Sequence, residues 1–547
     1  MKPDSFSTVC TKNCVDELIV YLLSLSLFHN NEHVYIICDT ITKERVEQCN
    51  PTIQLQIHFY DILNEYSSYN RQQMEQLGVW EEFQMKKAEI IKIALKDGRK
   101  DTMLMDSDIL VLNTIDGIDE KMDLAVSPHY INKAHTDRFG FFNGGCLWTN
   151  KIEVADDWVE FTKTSRFYDQ ASIEDLANKY KHQVLDETFN FAWWRTCPLH
   201  NLNFMDVRRK IGLENNIVTY NKKPIKFLHT HFFKTQNPEK EFNMMFFMMF
   251  LQSKNYKMLM LIQRIVNKSW VLKIPQQPME GIWNHSDDSF RELAVLISKK
   301  HEDVTIKRIT NSGSCWLEPN ILLYDRPTSM WYLSNLNQVK VSSLILLGNG
   351  SLDQEGKELQ SLGENVKPWI FWPRKPELVE KLLISKSTLS YNERPLESIF
   401  IGNYENATQA KYRDTTIDWK SCIEEFHCTS GTQHKFTHEG YLMKIRSAKY
   451  GLCLRGFGSK CHREVECMAF GTIPIITPEV SIDSYMNPPI ENIHYIKAST
   501  PEEVKQKIST IDKDTWDEMS LACKEWYMQN VDSNNAMNTI LTNIIYK

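Results

Sequence analysis

Between residues 6 and 112 the chain alternates short apolar runs with amphipathic ones. FSTVC is followed by a helical pattern over 15–28, then HVYIIC, a second helical pattern over 41–48, IQLQIHF, the segment EEFQMKKAEIIKIALKDG over 81–98, and TMLMDSDILVL. Strand-like runs separated by helix-length periodic segments predict parallel strands joined by crossover helices, an α/β layer. The 81–98 segment ends at Gly98, a suitable helix stop, and an apolar strand candidate follows at once. A second series starts after about residue 268, with strand candidates at 320–325, 342–348, 368–373 and 397–402. No short repeat or low-complexity linker separates the two series, and the reading divides the chain into residues 1–265 and 266–547. The most loop-like stretch of the second half is SKSTLSYNERP, 385–395.

With 547 residues, 42% of them hydrophobic and 24% charged, the chain can bury large cores in roughly two to four domains. A net charge of −7 argues against nucleic acid as a partner, because duplex binding draws on clustered Lys and Arg. The thirteen cysteines are odd in number and scattered, which favours a reducing compartment over a disulfide scaffold. Cys422, His427, Cys428, His434 and His438 lack the paired CxxC spacing of a zinc site. MKPDSFSTVC has no basic segment leading into an apolar core, so no secretory signal is expected, and a cytoplasmic location follows. The apolar run from Leu18 to Phe28 is short, and Asp16 and Glu17 open it as acids open a helix. FNMMFFMMFL, 242–251, is too short for a bilayer and reads as a packed helix, although its methionines also suit an adaptable interface or membrane contact.

In MLMDSDILVL the strand runs into Asp106-Ser107-Asp108, which sets two carboxylates at a strand's carboxyl end, where open α/β sheets bind ligands. Mg²⁺ or Mn²⁺ is held by one or two carboxylates together with substrate phosphates, so the pair suits a diphosphate–metal complex. Acidic residues also cap helices and make turns, so the D-x-D spacing gains weight from its context. Downstream stand FGFFNGGCLWTN (139–150), HQVLDETFNFAWW (182–194) and KFLHTHFFK (226–234), each a polar cluster set among aromatics.

This order of motifs, over roughly residues 5–235, resembles the GT-A glycosyltransferases with a DXD motif, especially the glycogenin-like kind. The resemblance implies a nucleotide-sugar donor, manganese or magnesium as cofactor, and Asp106, Asp108 and His229 or His231 as its ligands. It makes Asn143, Gly144 and Gly145 a loop beside the sugar and Asp186 with Glu187 an acidic pair near donor or acceptor. Alternation on a strand points His229 and His231 to one face, so either is a candidate ligand. Lys86 and Lys234 would assist electrostatically, with Thr8 also on the donor side; for Lys86 a solvated helix face is the plainer reading. Gly144 and Gly145 would let the backbone approach the donor, or simply make a tight turn. Under an inverting course Asp186 or Glu187 is the general base; otherwise the two read as a helix N-terminus, which favours acids. No Gly follows the histidines at the family's usual place, which leaves the lid over the diphosphate in doubt.

In YLMKIRSAKYGLCLRGFGSKCHRE, 441–464, six cations occur before Glu464, a local anion site in an acidic chain. The following REVECMAFGTIPIITPEV reads as a helix ending at Gly471 and then a buried strand. Gly456, Gly458 and the helix start can therefore present N–H groups to a phosphate. The stretch resembles the donor-binding half of exostosin-like GT-B glycosyltransferases, over about 398–480. Carried over residue by residue, Arg446, Arg455, Gly456, Arg463, Glu464 and Glu466 lie on the donor side, arginines on the diphosphate and a carboxylate on hydroxyls, with no metal. Gly402 and Arg413 match the preceding strand and loop. A solvated basic loop on a Rossmann-like fold is the bland alternative.

The tandem resembles cytosolic multi-domain glycosyltransferases of large DNA viruses of algae and amoebae. It implies a bifunctional transferase working from UDP- or GDP-sugars on a glycan or glycoprotein acceptor. The rival is a single-headed enzyme whose second half only binds glycan or protein. A haloacid-dehalogenase-type phosphohydrolase would want Thr or Val where Leu110 stands.

Overall fold

The computed structural model describes the chain apart from residues 50–52, 130–131, 193–194, 198–201, 231–238, 254, 277–284, 310–314, 320, 325–343, 349–365, 405–412, 429–435, 457 and 547. Two compact units part between Lys268 and Ser269.

The first unit holds β1 (Ser5–Cys10), β2 (His33–Cys38), β3 (Gln56–Asp61), β4 (Thr102–Met105), β5 (Ile109–Val111), β6 (Leu124–Pro128), β7 (Phe142–Thr149), β8 (His182–Val184), β9 (Ile211–Glu214), β10 (Ile217–Tyr220), β11 (Lys223–Pro224) and β12 (Phe227–His229). Its main sheet runs β3-β2-β1-β4-β7-β6-β8. The strands from β3 to β4 are parallel, and β7 is antiparallel to both β4 and β6. The strand order reverses between β1 and β4, so the carboxyl end of β4 lies at a switch point, the usual crevice for a ligand.

Helix Val15–Phe28 buries ten of its fourteen residues, consistent with a sequence apolar on every side. Helix Trp80–Lys96 buries only the stripe Gln84, Ala88, Ile90, Ile91 and Ala94 against the sheet and stops before Gly98, which takes φ +85°. Its apolar members Ala88, Ile90, Ile91 and Ala94 join Tyr35, Leu104, Val126, Leu147 and Trp158 in one core. Each fully buried aliphatic side chain there contributes about 1.5–3 kcal/mol of transfer free energy.

TMLMDSDILVL is two strands rather than one. β4 stays in the main sheet, while β5 leaves it and pairs antiparallel with β12, Ile109 opposite His229. Carboxylates cannot be buried in a ladder without partners, and the chain turns where they occur.

The second unit contains β13 (Trp270–Pro275), β14 (Val304–Ile309), β15 (Cys315–Leu317), β16 (Ile321–Tyr324), β17 (Leu344–Leu347), β18 (Val366–Pro368), β19 (Leu396–Gly402), β20 (Glu425–Cys428), β21 (Ala448–Cys453), β22 (Ile473–Ile476) and β23 (Ile496–Lys497). They form a six-stranded sheet, β14-β13-β15-β16-β17-β18, and a five-stranded one, β20-β19-β21-β22-β23. The latter is parallel throughout. The expected strand PWIFWP is instead buried coil after β18, and Trp369 and Trp372 pack on Phe290. A run apolar at every position reports burial and does not by itself report pairing.

The mixed α/β class expected from the alternation is the class observed. Among the described residues no helix is long and apolar enough to cross a membrane.

Candidate functional site

Asp106 and Asp108 flank the turn between β4 and β5, and His229 closes β12. The β5–β12 ladder carries His229 to Asp108, with Nε2 3.2 Å from Oδ1. One ligand atom from each of Asp106, Asp108 and His229 lies within 4.8 Å of the other two, and no other such His/Cys/Asp/Glu group occurs among the described residues.

The proton on His229 is fixed by a relay that starts at the backbone. Gly145 N–H donates to Asn143 Oδ1 at 3.1 Å, so that oxygen is an acceptor. Asn190 Nδ2 donates to the same atom at 2.9 Å and to Ser127 Oγ at 3.2 Å. The amide oxygen of Asn190 therefore faces His229 Nδ1, 2.7 Å away, and takes its proton. Arg195, a donor only, approaches the same nitrogen less closely, at 3.4 Å, while its Nη1 donates to Asn190 O at 2.6 Å. With Nδ1 turned to Asn190, Nε2 faces the Asp108 carboxylate. Two lone-pair atoms 3.2 Å apart repel unless a proton or a cation lies between them, so the donor set fits a divalent ion held by two carboxylates and one imidazole.

Lys87 holds the other side. Its Nζ lies 3.1 Å from Asp106 Oδ1, 3.3 Å from Asp169 Oδ2 and 3.1 Å from Gly144 O, which occupies all three ammonium protons. Burial pulls this ammonium toward neutrality, but Asp106 and Asp169 outweigh it and hold its pKa above the ordinary lysine value. Burial lowers Arg195 to about 10, which leaves it charged at neutral pH. Burial and then Arg195 push His129 down to about 3, so that imidazole is neutral there.

Asn143, Gly144 and Gly145 lie inside the fully buried strand β7, not in a loop. A Cβ on Gly145 would sit 2.2 Å from Asp106 Oδ2, and one on Gly144 2.5 Å from Asp169 Oδ2. The two glycines leave room for carboxylates.

Lys86 points away and pairs with Glu89 at 2.9 Å; Lys87 is the lysine that enters the site. Gln84, Lys87, Ala88 and Ile91 recur at helical spacing, and that phase was the available signal. Asp186 and Glu187 open a turn rather than a helix, and Asp186 Oδ1 accepts from Thr188 N at 2.8 Å and Thr188 Oγ1 at 2.5 Å. Thr8 is fully buried in β1 with its hydroxyl unpartnered. His231 and Lys234 lie outside the described residues. Reading the sequence did not single out Lys87, Asp169, Asn190 or Arg195.

In the second unit the carboxyl ends of β19 and β21 bring Arg413, Arg455 and Arg463 together. Arg413 donates to Arg455 O at 3.1 Å and to Asn403 O and Tyr404 O. Arg463 Nη2 donates to Ile401 O at 2.9 Å, and a Cβ on Gly402 would fall 2.3 Å from that nitrogen. Lys460, whose pKa burial pushes far down, donates to Trp369 O at 3.1 Å. Glu464 Oε2 accepts from Cys461 N as its own helix cap, and burial raises this carboxyl to about 8. Glu466 accepts from Arg374 N and Tyr441 Oη. Gly456 makes room for Cys461 Sγ, 2.5 Å from where a Cβ would sit. Arg446 is not among them: it precedes β21, toward the amino end of that strand, and bonds Ser387 O.

No protein-family model matches the chain, and no curated protein matches its sequence. Solved structures do align with it. The galactosyltransferase LgtC, solved with donor and acceptor sugar analogs, is 16% identical over 44% of this chain and 94% of its own, with a TM-score of 0.30. The glycosyltransferase GlyE of Streptococcus pneumoniae TIGR4 is 10% identical over 93% of this chain and 99% of its own, with a TM-score of 0.33. Mouse xyloside xylosyltransferase 1 is 12% identical over 42% and 97%, with a TM-score of 0.28. Alignments this weak carry no argument about activity, and the chemistry of the site rests on its own geometry.

Proposed function

We propose that the first unit is a metal-dependent glycosyltransferase that uses a nucleotide-sugar donor. The observation that carries this is the convergence of Asp106, Asp108 and His229 at the carboxyl end of β4, with Nε2 of His229 turned to Asp108 and Nδ1 to Asn190. A Mn²⁺ or Mg²⁺ ion there supplies charge stabilisation for the departing diphosphate. The chain's own residues do the rest. Lys87 holds the Asp106 rotamer, Gly145 keeps space for its second oxygen, and the Asn143–Asn190 relay sets the imidazole. Under an inverting course Asp186 or Glu187 takes the acceptor proton, with Thr188 already bound to Asp186. The acceptor is a glycan or glycoprotein.

For the second unit the proposal is a metal-free, exostosin-like donor site around Arg455 and Arg463, which would make the chain bifunctional. One observation favours the other reading, a non-catalytic binding module: Arg413, Lys460 and Arg463 each direct donors to backbone carbonyls of their own unit.

The test is nucleotide release from a panel of UDP- and GDP-sugars, with and without Mn²⁺, for wild type, Asp106→Ala/Asp108→Ala and Arg463→Ala proteins. Turnover that dies with the Asp pair or with chelation supports the first unit's assignment. A second, chelation-resistant turnover that dies with Arg463 supports two active sites. No turnover of any sugar nucleotide by wild type overturns the transferase reading.

A further inference from the structure

Helix Glu239–Ser253 carries the methionine run, and it is not packed on all sides. Met244, Met248 and Leu251, spaced i, i+4 and i+7, are 41%, 46% and 37% exposed. Residues at that spacing share one helix face. Met244 and Met248 line an open groove with Arg208 and with Ile211, Gly212 and Leu213 of strand β9. The groove has an accessible volume of about 920 Å³. Met205, 48% exposed, stands one helical turn before Arg208 on the short helix Phe204–Lys210. Ile217, 36% exposed, opens β10 beside the groove residues Asn215 and Asn216. Single exposed apolar side chains are ordinary; two that line one groove, with Met205, Leu251 and Ile217 exposed on the elements that frame it, form a patch that calls for a partner.

The charges around it say which partner. Arg208, Arg209 and Lys210 are exposed, and the β10–β11 turn brings Lys222 and Lys223 beside them, with Asn221 N donating to Lys210 O at 3.0 Å. Arg209 is partly offset by Asp206 at 3.4 Å; among the described residues Glu241 is the acid lining the groove, and Glu214 ends the adjoining strand β9. Four cations remain against two acids in a chain whose net charge is −7. Flexible apolar side chains framed by lysine and arginine are what an anionic bilayer surface takes up: the apolar groups enter the acyl boundary and the cations meet the headgroups.

We propose that this face, from Met205 through the β9–β10 hairpin to helix Glu239–Ser253, docks the protein peripherally on an anionic lipid surface. The proposal is independent of the chemistry at Asp106 and Asp108, and none of its residues belongs to that site.

Co-sedimentation of the full chain with vesicles tests it. The vesicles are phosphatidylcholine alone or phosphatidylcholine with 30% phosphatidylserine, at 50 and 500 mM NaCl. Wild type is expected to pellet with the anionic vesicles at low salt and to be released at high salt. Met244→Ser/Met248→Ser should weaken binding roughly tenfold, and Lys222→Glu/Lys223→Glu by about 30-fold or more, since two cations near the surface are lost and two acids replace them. Both pairs are exposed, so circular dichroism and Mn²⁺ binding should match wild type. Wild type that stays in the supernatant with anionic vesicles overturns the proposal, as does binding that both variants retain. Self-association of wild type lost in the methionine variant, seen by light scattering without lipid, would give the face to a second copy of the chain and overturn it equally.

Discussion

The amide oxygen of Asn190 lies 2.7 Å from Nδ1 of His229, and this contact decides which edge of the imidazole is offered to a ligand. Asn190 can present its oxygen only because its nitrogen is committed to Asn143 and Ser127, and Asn143 is fixed in turn by the N–H of Gly145.

Replacing Asn190 with Leu removes the acceptor and frees the ring to take the other tautomer. Mn²⁺ affinity should fall about 10- to 100-fold, the usual cost of losing the partner that orients a metal-binding histidine. Electron paramagnetic resonance of free Mn²⁺ during titration measures it. An unchanged Kd would show that the relay does not set the proton.

Lys87→Met leaves Asp106 facing the buried Asp169 with no cation between them. Breaking one partner out of such a cluster should cost about 3 kcal/mol, at the low end for buried pairs because Asp106 is partly exposed. Urea denaturation checks this. A loss below about 1 kcal/mol would mean that water replaces the ammonium.

Gly145→Ala and Gly212→Ala make a matched pair. The first would put a Cβ 2.2 Å from Asp106 Oδ2, the second 3.5 Å from Thr219 Oγ1, an ordinary contact. The Gly145 variant should lose metal affinity at least tenfold while the Gly212 variant keeps it, isothermal titration with Mn²⁺ being the readout. Equal affinities would remove the steric argument for glycine in β7.

Glu464 gives a pH dependence with a definite sign. Burial raises its pKa from 4.5 to about 8, so between those values the native state keeps a proton that the unfolded chain has released. The stability from this group is fully present below about pH 4.5 and is lost as pH rises through 8. Glu464→Gln, which can still cap Cys461 N, should flatten the decline between pH 5 and 8 by up to about 1 kcal/mol per pH unit. Urea midpoints across that range decide it, and parallel wild-type and variant curves would count against a buried neutral carboxyl.

The parts legible in the sequence were those carried by local pattern. An apolar run broken by Asp106 and Asp108 marks a strand end wherever it occurs, and the parallel layers follow from the strand and helix rhythm. The lysine was missed by one residue, because Lys86 and Lys87 are adjacent and only helix phase tells them apart. Asn190 was hidden for a different reason. It sits between two phenylalanines in the left-handed conformation, and its importance comes from contacts with β7 and β12, 47 and 39 residues away. In the second unit six cations within one stretch read as one patch. The strand β21 runs through the middle of them, and six residues of strand separate its two ends by about 20 Å. Proximity in sequence put Arg446 with Arg455; the strand puts them at its opposite ends.

The ladder that seats His229 opposite Ile109 is only three pairs long, and it closes a loop of about 120 residues on the acidic turn beside it. An ion held as proposed by Asp106, Asp108 and His229 would work as a removable staple: it would bind the assembled site and not the open chain, so every increment of binding would also be cohesion for the whole first unit. Under the proposed function, scarcity of the ion would then do more than slow turnover. It would leave the first unit less tightly closed, with a shorter lifetime against proteolysis, so the supply of metal would govern both how fast the protein works and how much of it persists.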